Sequence, residues 1–142
     1  MVTADALNSM IASLWPTAGV RCVAVSETDA VASMTPTAQD LRPGGFISGP
    51  MQFAMADTAF WFLVSGALGR VEPMALTSEL SIRYLRPAVG ETLYGRATLD
   101  RLGRTSVVAT VRVWTTDEAR PTAVAQGTYT LPATPTDLSP VG

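Results

Sequence analysis

Gly49 and Asp57, eight positions apart in the run GPMQFAMAD (49–57), have the types and spacing to do chemistry. Around Asp57 stand Phe53, Ala54, Met55, Ala56, Ala59, Phe60, Trp61 and Phe62. An ionised carboxylate in such company is costly unless it is paired, because apolar neighbours cannot solvate it. It is either a structural aspartate bonded to backbone or to the N-terminal strands, or a carboxylate kept as general base or nucleophile. Gly49 stands where a helix would begin. The first turn of a helix presents unpaired N–H groups and the positive end of its dipole, a seat for a developing oxyanion. Ser48 is placed to cap that helix, and Pro50 suits its first position, where a fixed φ is already right.

Composition narrows the chemistry further. The 142 residues include no histidine and a single cysteine, Cys22. That removes Ser–His and Cys–His pairs, histidine-bearing metal sites and the usual general base. One cysteine also excludes an internal disulfide or a cysteine-cluster metal site, and it fits a reducing cytoplasm. Carboxylates, hydroxyls and backbone dipoles are left, with neither metal nor bound cofactor implied. The net charge is −2, and the ten arginines are scattered from Arg21 to Arg120 without a basic stripe, which argues against nucleic acid. At 47% apolar and 15% charged, the chain reads as one folded domain.

The N-terminus has Asp5 and no basic residue ahead of its apolar positions, so no signal peptide is expected. Residues 50–69 are long enough to span a bilayer, but Asp57 near their middle costs about 2.5–3.5 kcal/mol on insertion scales. The amphipathic strands around them also need this segment as a core. A membrane partner is therefore not expected.

The elements that would position these residues follow from periodicity. Leu7, Met10, Ile11 and Leu14 form a helical stripe over 4–15, with Thr3 as cap and Trp15-Pro16 as its end. Strand-like runs at 19–25 and 30–36 flank the polar turn 26–29. A turn-rich loop, 37–49, leads into a helix over about 50–68 that is apolar on all faces and must be enclosed. Beyond it, period-two alternation marks four strands. They are centred on Leu80–Tyr84, Leu93–Leu99, Val107–Val113 and Ala123–Leu131, with breaks short enough for antiparallel hairpins. The fold class is α+β, one antiparallel sheet wrapped on one long helix, over a single domain 1–131. The tail 132–142 has no apolar period and is expected to be loose.

Residues 42–57, RPGGFISGPMQFAMAD, resemble the signature of the PaaI-type hotdog acyl-CoA thioesterases. That family's Asn-Pro-x-Gly-x-x-His-Gly-Gly pattern is followed by an aspartate eight residues after the first paired glycine. Pro43, Gly45, Gly49 and Asp57 match it, whereas Arg42, Ser48 and Pro50 replace the asparagine, the histidine and the second glycine. The strand LTSELSIRYLRPA (76–88), the Leu-Gly-Arg turn (102–104) and Ala-Gln-Gly-Thr-Tyr (125–129) also agree.

The resemblance implies hydrolysis of an acyl-CoA by a cytoplasmic homodimer or homotetramer. The Gly49 N–H would polarise the thioester carbonyl, and Asp57, on the other subunit, would act as base or nucleophile. Thr77 would orient the water. Arg42, Ser48, Pro50, Gln52 and Trp61 would help hold substrate, the loop 37–49 and the Trp61 side shaping the acyl pocket. Arg86 and Arg104 fall where the family meets the CoA phosphates, although both equally suit a solvated strand edge. The alternative is a hotdog protein that binds acyl-CoA without hydrolysing it. A dehydratase of this fold needs a histidine that the chain lacks.

Overall fold

In the computed structural model, which describes residues 1–139, the order is α1 (Ala4–Leu14), β1 (Val20–Val25), β2 (Asp29–Met34), β3 (Leu41–Arg42), β4 (Phe46–Ile47), α2 (Gly49–Leu68), β5 (Leu76–Tyr84), β6 (Leu93–Leu102), β7 (Ser106–Trp114) and β8 (Ala123–Thr130). Six strands form one antiparallel sheet in the order β1-β2-β6-β7-β8-β5, while β3 and β4 make a small separate hairpin inside the loop before α2. The sheet curls around α2 as expected. Met55, Ala56, Ala59, Phe60, Phe62, Leu63 and Val64 of the helix are buried against inward-facing Leu93, Ala97, Val107, Val111, Ala123 and Tyr129.

Two expectations are corrected. The first concerns pairing: β6, β7 and β8 are consecutive hairpin partners, but β5 pairs with β8 and not with β6. The segment 85–92 crosses the end of the sheet and lays β6 against β2. It is held on the way, with the Leu85 N–H on the Thr122 carbonyl and the Ala88 carbonyl accepting from Ile47. A polar break in an alternating pattern signals a turn of direction but does not say which strand lies next door. The second concerns enclosure: α2 is not covered on every side. Pro50, Phe53, Ala54, Asp57, Thr58 and Trp61 form a stripe at helical spacing that is exposed or half-buried.

Specific contacts fix the remaining pieces. Thr3 Oγ1 caps α1 by accepting from the Ala6 N–H at 3.1 Å. The Asn8 amide then grips the backbone of edge strand β1, donating to the Cys22 carbonyl at 2.9 Å and accepting from its N–H at 2.7 Å. The tail from Pro132, expected to be loose, has no regular structure through residue 139 but is tied down at Thr136. There the Thr136 N–H and hydroxyl both donate to the buried Glu72 carboxylate, which also accepts from the Met74 N–H at 3.1 Å. Burial alone would raise the Glu72 carboxyl, but these donors and Arg70 hold it below its ordinary value. Residues 140–142 of that tail lie outside the described residues. Among the described residues, no helix is long and apolar enough to cross a membrane.

Gly66 marks the closest approach of α2 to the β1–β2 turn. A methyl there would overlap the Ser26 carbonyl oxygen and come within 2.7 Å of Val25 Cγ2. Glycine to alanine inside a helix ordinarily stabilises, by about 1 kcal/mol. Here the overlap reverses the sign, and Gly66→Ala should lower unfolding stability by about 1–3 kcal/mol in a denaturant titration.

Candidate active site

The chemistry-bearing residues sit at two places along α2. At its start, Ser48 is buried and its hydroxyl accepts from the Met51 N–H at 3.2 Å, while the Gln52 N–H reaches the Ser48 carbonyl at 3.1 Å. Pro50 has no N–H. Of the donors a helix start leaves free, the Gly49 N–H therefore remains without an acceptor among the described residues. Tyr84 lies across this glycine and packs closely on it. A Cβ on Gly49 would meet the Tyr84 ring at 3.2 Å, and the Tyr84 hydroxyl donates to the Gly49 carbonyl at 2.8 Å.

Two turns on, Asp57 is half-exposed on the open stripe of α2 and its charge is answered from the sheet. The Thr77 hydroxyl donates to Asp57 Oδ1 at 2.7 Å, and the Tyr129 hydroxyl donates to the same oxygen at 2.6 Å. Tyr129 also reaches the Asp57 carbonyl at 3.0 Å. Thr77 on β5 and Tyr129 on β8 are direct cross-strand partners, so the sheet register brings both hydroxyls to one carboxylate. Oδ2 makes no hydrogen bond among the described residues. The carboxylate faces a cavity of about 350 Å³ whose walls include Ile11, Trp15, Val20, Trp61, Pro73 and Leu76. Trp15 and Trp61 meet edge to face there, their centroids 5.4 Å apart. Apart from Asp57, no charged side chain among the described residues lines it.

The other residues singled out from the sequence are dispersed. Trp61 shares the cavity with Asp57. Arg42 is exposed on the β3–β4 hairpin, and the loop 37–49 forms none of the cavity wall. Gln52 is buried inside the fold, with its Oε1 accepting from the Thr122 hydroxyl at 2.8 Å, so this amide oxygen ties α2 to the sheet. Arg86 and Arg104 are both exposed, at opposite ends of the sheet. Arg104 lies in the β6–β7 turn beside the Leu76–Thr130 end, and Arg86 follows β5 beside Thr122. Eight residues of strand, roughly 26 Å, separate those ends. Among the described residues, no three His, Cys, Asp or Glu side chains are grouped so as to hold a metal ion.

Sequence reasoning missed Tyr129, the α1 residues of the cavity and Tyr84. A signal for Tyr129 does exist. Its strand turns Ala123, Ala125, Gly127 and Tyr129 to one face, and a single buried phenol among small residues must find a partner for its hydroxyl.

Residues 44–122 match the family model of the thioesterase superfamily. A solved structure named as a candidate thioesterase, from Silicibacter sp. TM1040, is 30% identical with a TM-score of 0.81, over 93% of each chain. The PaaI protein of the Escherichia coli phenylacetic acid degradation operon is 23% identical over 88% of this chain and 91% of that one, with a TM-score of 0.72. Zebra fish thioesterase superfamily member 2 is 18% identical, covering 93% of this chain and 100% of that one, with a TM-score of 0.78. These last two likenesses are of fold alone. No curated protein matches the chain.

Burial, with the Asp57 carboxylate beside it, pushes the Tyr129 phenol well above its ordinary range. The fold thus holds it protonated, whereas the unfolded chain releases that proton near pH 10. Stability from this group is complete below that pH and is lost as pH climbs beyond it. In a spectrophotometric titration, Tyr129 should resist ionisation until the fold is lost, and Tyr129→Phe should remove that resistant component.

Proposed function

The chain belongs to the thioesterase superfamily, and from that premise we propose that it hydrolyses an acyl-CoA to the free acid and CoA. The observation that carries this reading is the Asp57 carboxylate at the mouth of an apolar cavity, with one oxygen occupied and the other free. The acyl group lies in that cavity, against the wall that Trp15 and Trp61 form together. Water donates one hydrogen to Asp57 Oδ2 and the other to the Thr77 oxygen, whose own proton is already committed to Asp57. Its lone pair is left to attack the carbonyl carbon. The oxyanion forms against an unpaired helix-start N–H, and collapse expels the CoA thiolate, which recovers the proton from Asp57.

One copy of the chain cannot do this alone. Eight helical residues put the Gly49 N–H about 12 Å from Asp57, whereas a carbonyl bond is about 1.2 Å long. A second copy solves the problem through β5. This nine-residue strand has a neighbour on one side only and is largely exposed, including Leu76 and Tyr84. An open edge of that length favours pairing with another strand. Antiparallel pairing of β5 with its own copy about a two-fold axis brings the Thr77 end of one copy to the Tyr84 end of the other. Asp57 of one copy then faces Gly49 of the second. The same pairing brings Arg104 of the first and Arg86 of the second toward one site, where they would meet the CoA phosphates.

Wild type should turn over members of an acyl-CoA panel and sediment as a dimer or a higher even-numbered assembly. Asp57→Ala should lower kcat by about 10²–10⁴-fold, the usual worth of a general base. Undiminished turnover in that variant would sink the proposal. Tight acyl-CoA binding by wild type without turnover would instead identify a non-catalytic acyl-CoA-binding protein.

A further inference from the structure

Tyr129 makes the shortest contact to Asp57, and nothing in the hydrolytic steps above uses it. We infer that Tyr129 is a positioning residue: its hydroxyl, together with Thr77, occupies Asp57 Oδ1 and leaves Oδ2 as the sole reacting oxygen. This rests on the reading of Asp57 as the hydrolytic base.

Three observations carry it. The hydroxyl touches both the carboxylate, at 2.6 Å, and the backbone carbonyl of the same residue, at 3.0 Å, so it fixes the side chain relative to its own main chain. The ring has no freedom to move away. Tyr129 is 3% exposed, its ring centroid lies 4.6 Å from that of Phe60, and its backbone is paired on both sides, with Thr77 and with Val107. The phenol is also held protonated, so at any working pH it can act only as a donor toward Asp57.

The chemical consequence is a division of labour within one carboxylate. Two donors on Oδ1 draw charge toward that oxygen and use its lone pairs, while Oδ2 faces water with its basicity available. They also hold the carboxylate in one rotamer. An aspartate on an open helix stripe would otherwise sample several, and a base that is misplaced by about 1 Å loses on the order of 10²-fold in rate.

The test is a double-mutant cycle on an acyl-CoA that wild type hydrolyses, with Tyr129→Phe, Asp57→Asn and the pair. Phenylalanine keeps the ring and removes only the donor. Tyr129→Phe should lower kcat by about 10–100-fold, the worth of a hydrogen bond to a charged group, with KM changed less than twofold. In the Asp57→Asn background the same change should have no further effect on the residual rate. Equal losses in both backgrounds would mean that Tyr129 only supports the fold, and wild-type turnover by Tyr129→Phe would overturn the inference directly. If Asp57→Asn retains full turnover, it is the base assignment that fails, and the two failures are thereby told apart. Should Tyr129→Phe not fold, 3-fluorotyrosine installed at position 129 keeps ring and hydroxyl while strengthening the donor. An unchanged kcat with that substitution overturns the inference, and a changed kcat at constant thermal midpoint supports it.

Discussion

A twenty-residue helix with scarcely a polar side chain cannot be left in water, and the arrangement of every other element answers to that constraint. One sheet wide enough to curl around α2 removes most of its surface from solvent, and inward-facing Ala97, Ala109, Ala123 and Ala125 keep the helix close. Close packing of this kind also explains Gly66, where helix backbone and the β1–β2 turn leave no room for a methyl. A single curled layer has an open side, however. Along that side the stripe from Pro50 to Trp61 stays reachable; it includes Asp57 and begins next to Gly49.

Placing a carboxylate on that stripe creates a second demand, because Asp57 needs donors that a helix of alanines and aromatics does not supply. The sheet supplies them. Thr77 and Tyr129 come from strands more than 50 positions apart, and the β5–β8 ladder sets them side by side under one oxygen. Such pairing is more rigid than a contact between two loops, since the backbone hydrogen bonds of both strands hold the hydroxyls in place. The start of the helix is treated in the opposite way. Ser48 and Pro50 account for the neighbouring donors, and the Gly49 N–H is left bare among the described residues.

Much of this was legible in the residues themselves. The helix over 49–68, its Ser48 cap, the Thr3 cap of α1 and the long strands follow from local periodicity and capping chemistry, which act over a few neighbouring positions. Asp57 was legible for the same reason, since a lone charge stands out in an apolar run. Gln52 could not be oriented from sequence because a polar side chain near a helix start can turn outward or inward. Only the position of Thr122 decides that it turns inward. The connections 85–92 and 115–122 are equally long, yet one crosses the sheet and the other folds back into a hairpin.

The amino-acid sequence by itself determined which residues carry charge, which helix must be buried, and that any chemistry proceeds without imidazole. Tertiary structure alone decided that β5 lies beside β8, and with it that Tyr129 meets Asp57, that Arg86 and Arg104 stand at opposite ends of the sheet, and that α1 walls the cavity. The physical reason is range. Capping, propensity and hydrophobic period are settled between near neighbours, whereas strand order is a choice among pairings of similar local quality. That choice is made only when the whole sheet closes on one helix.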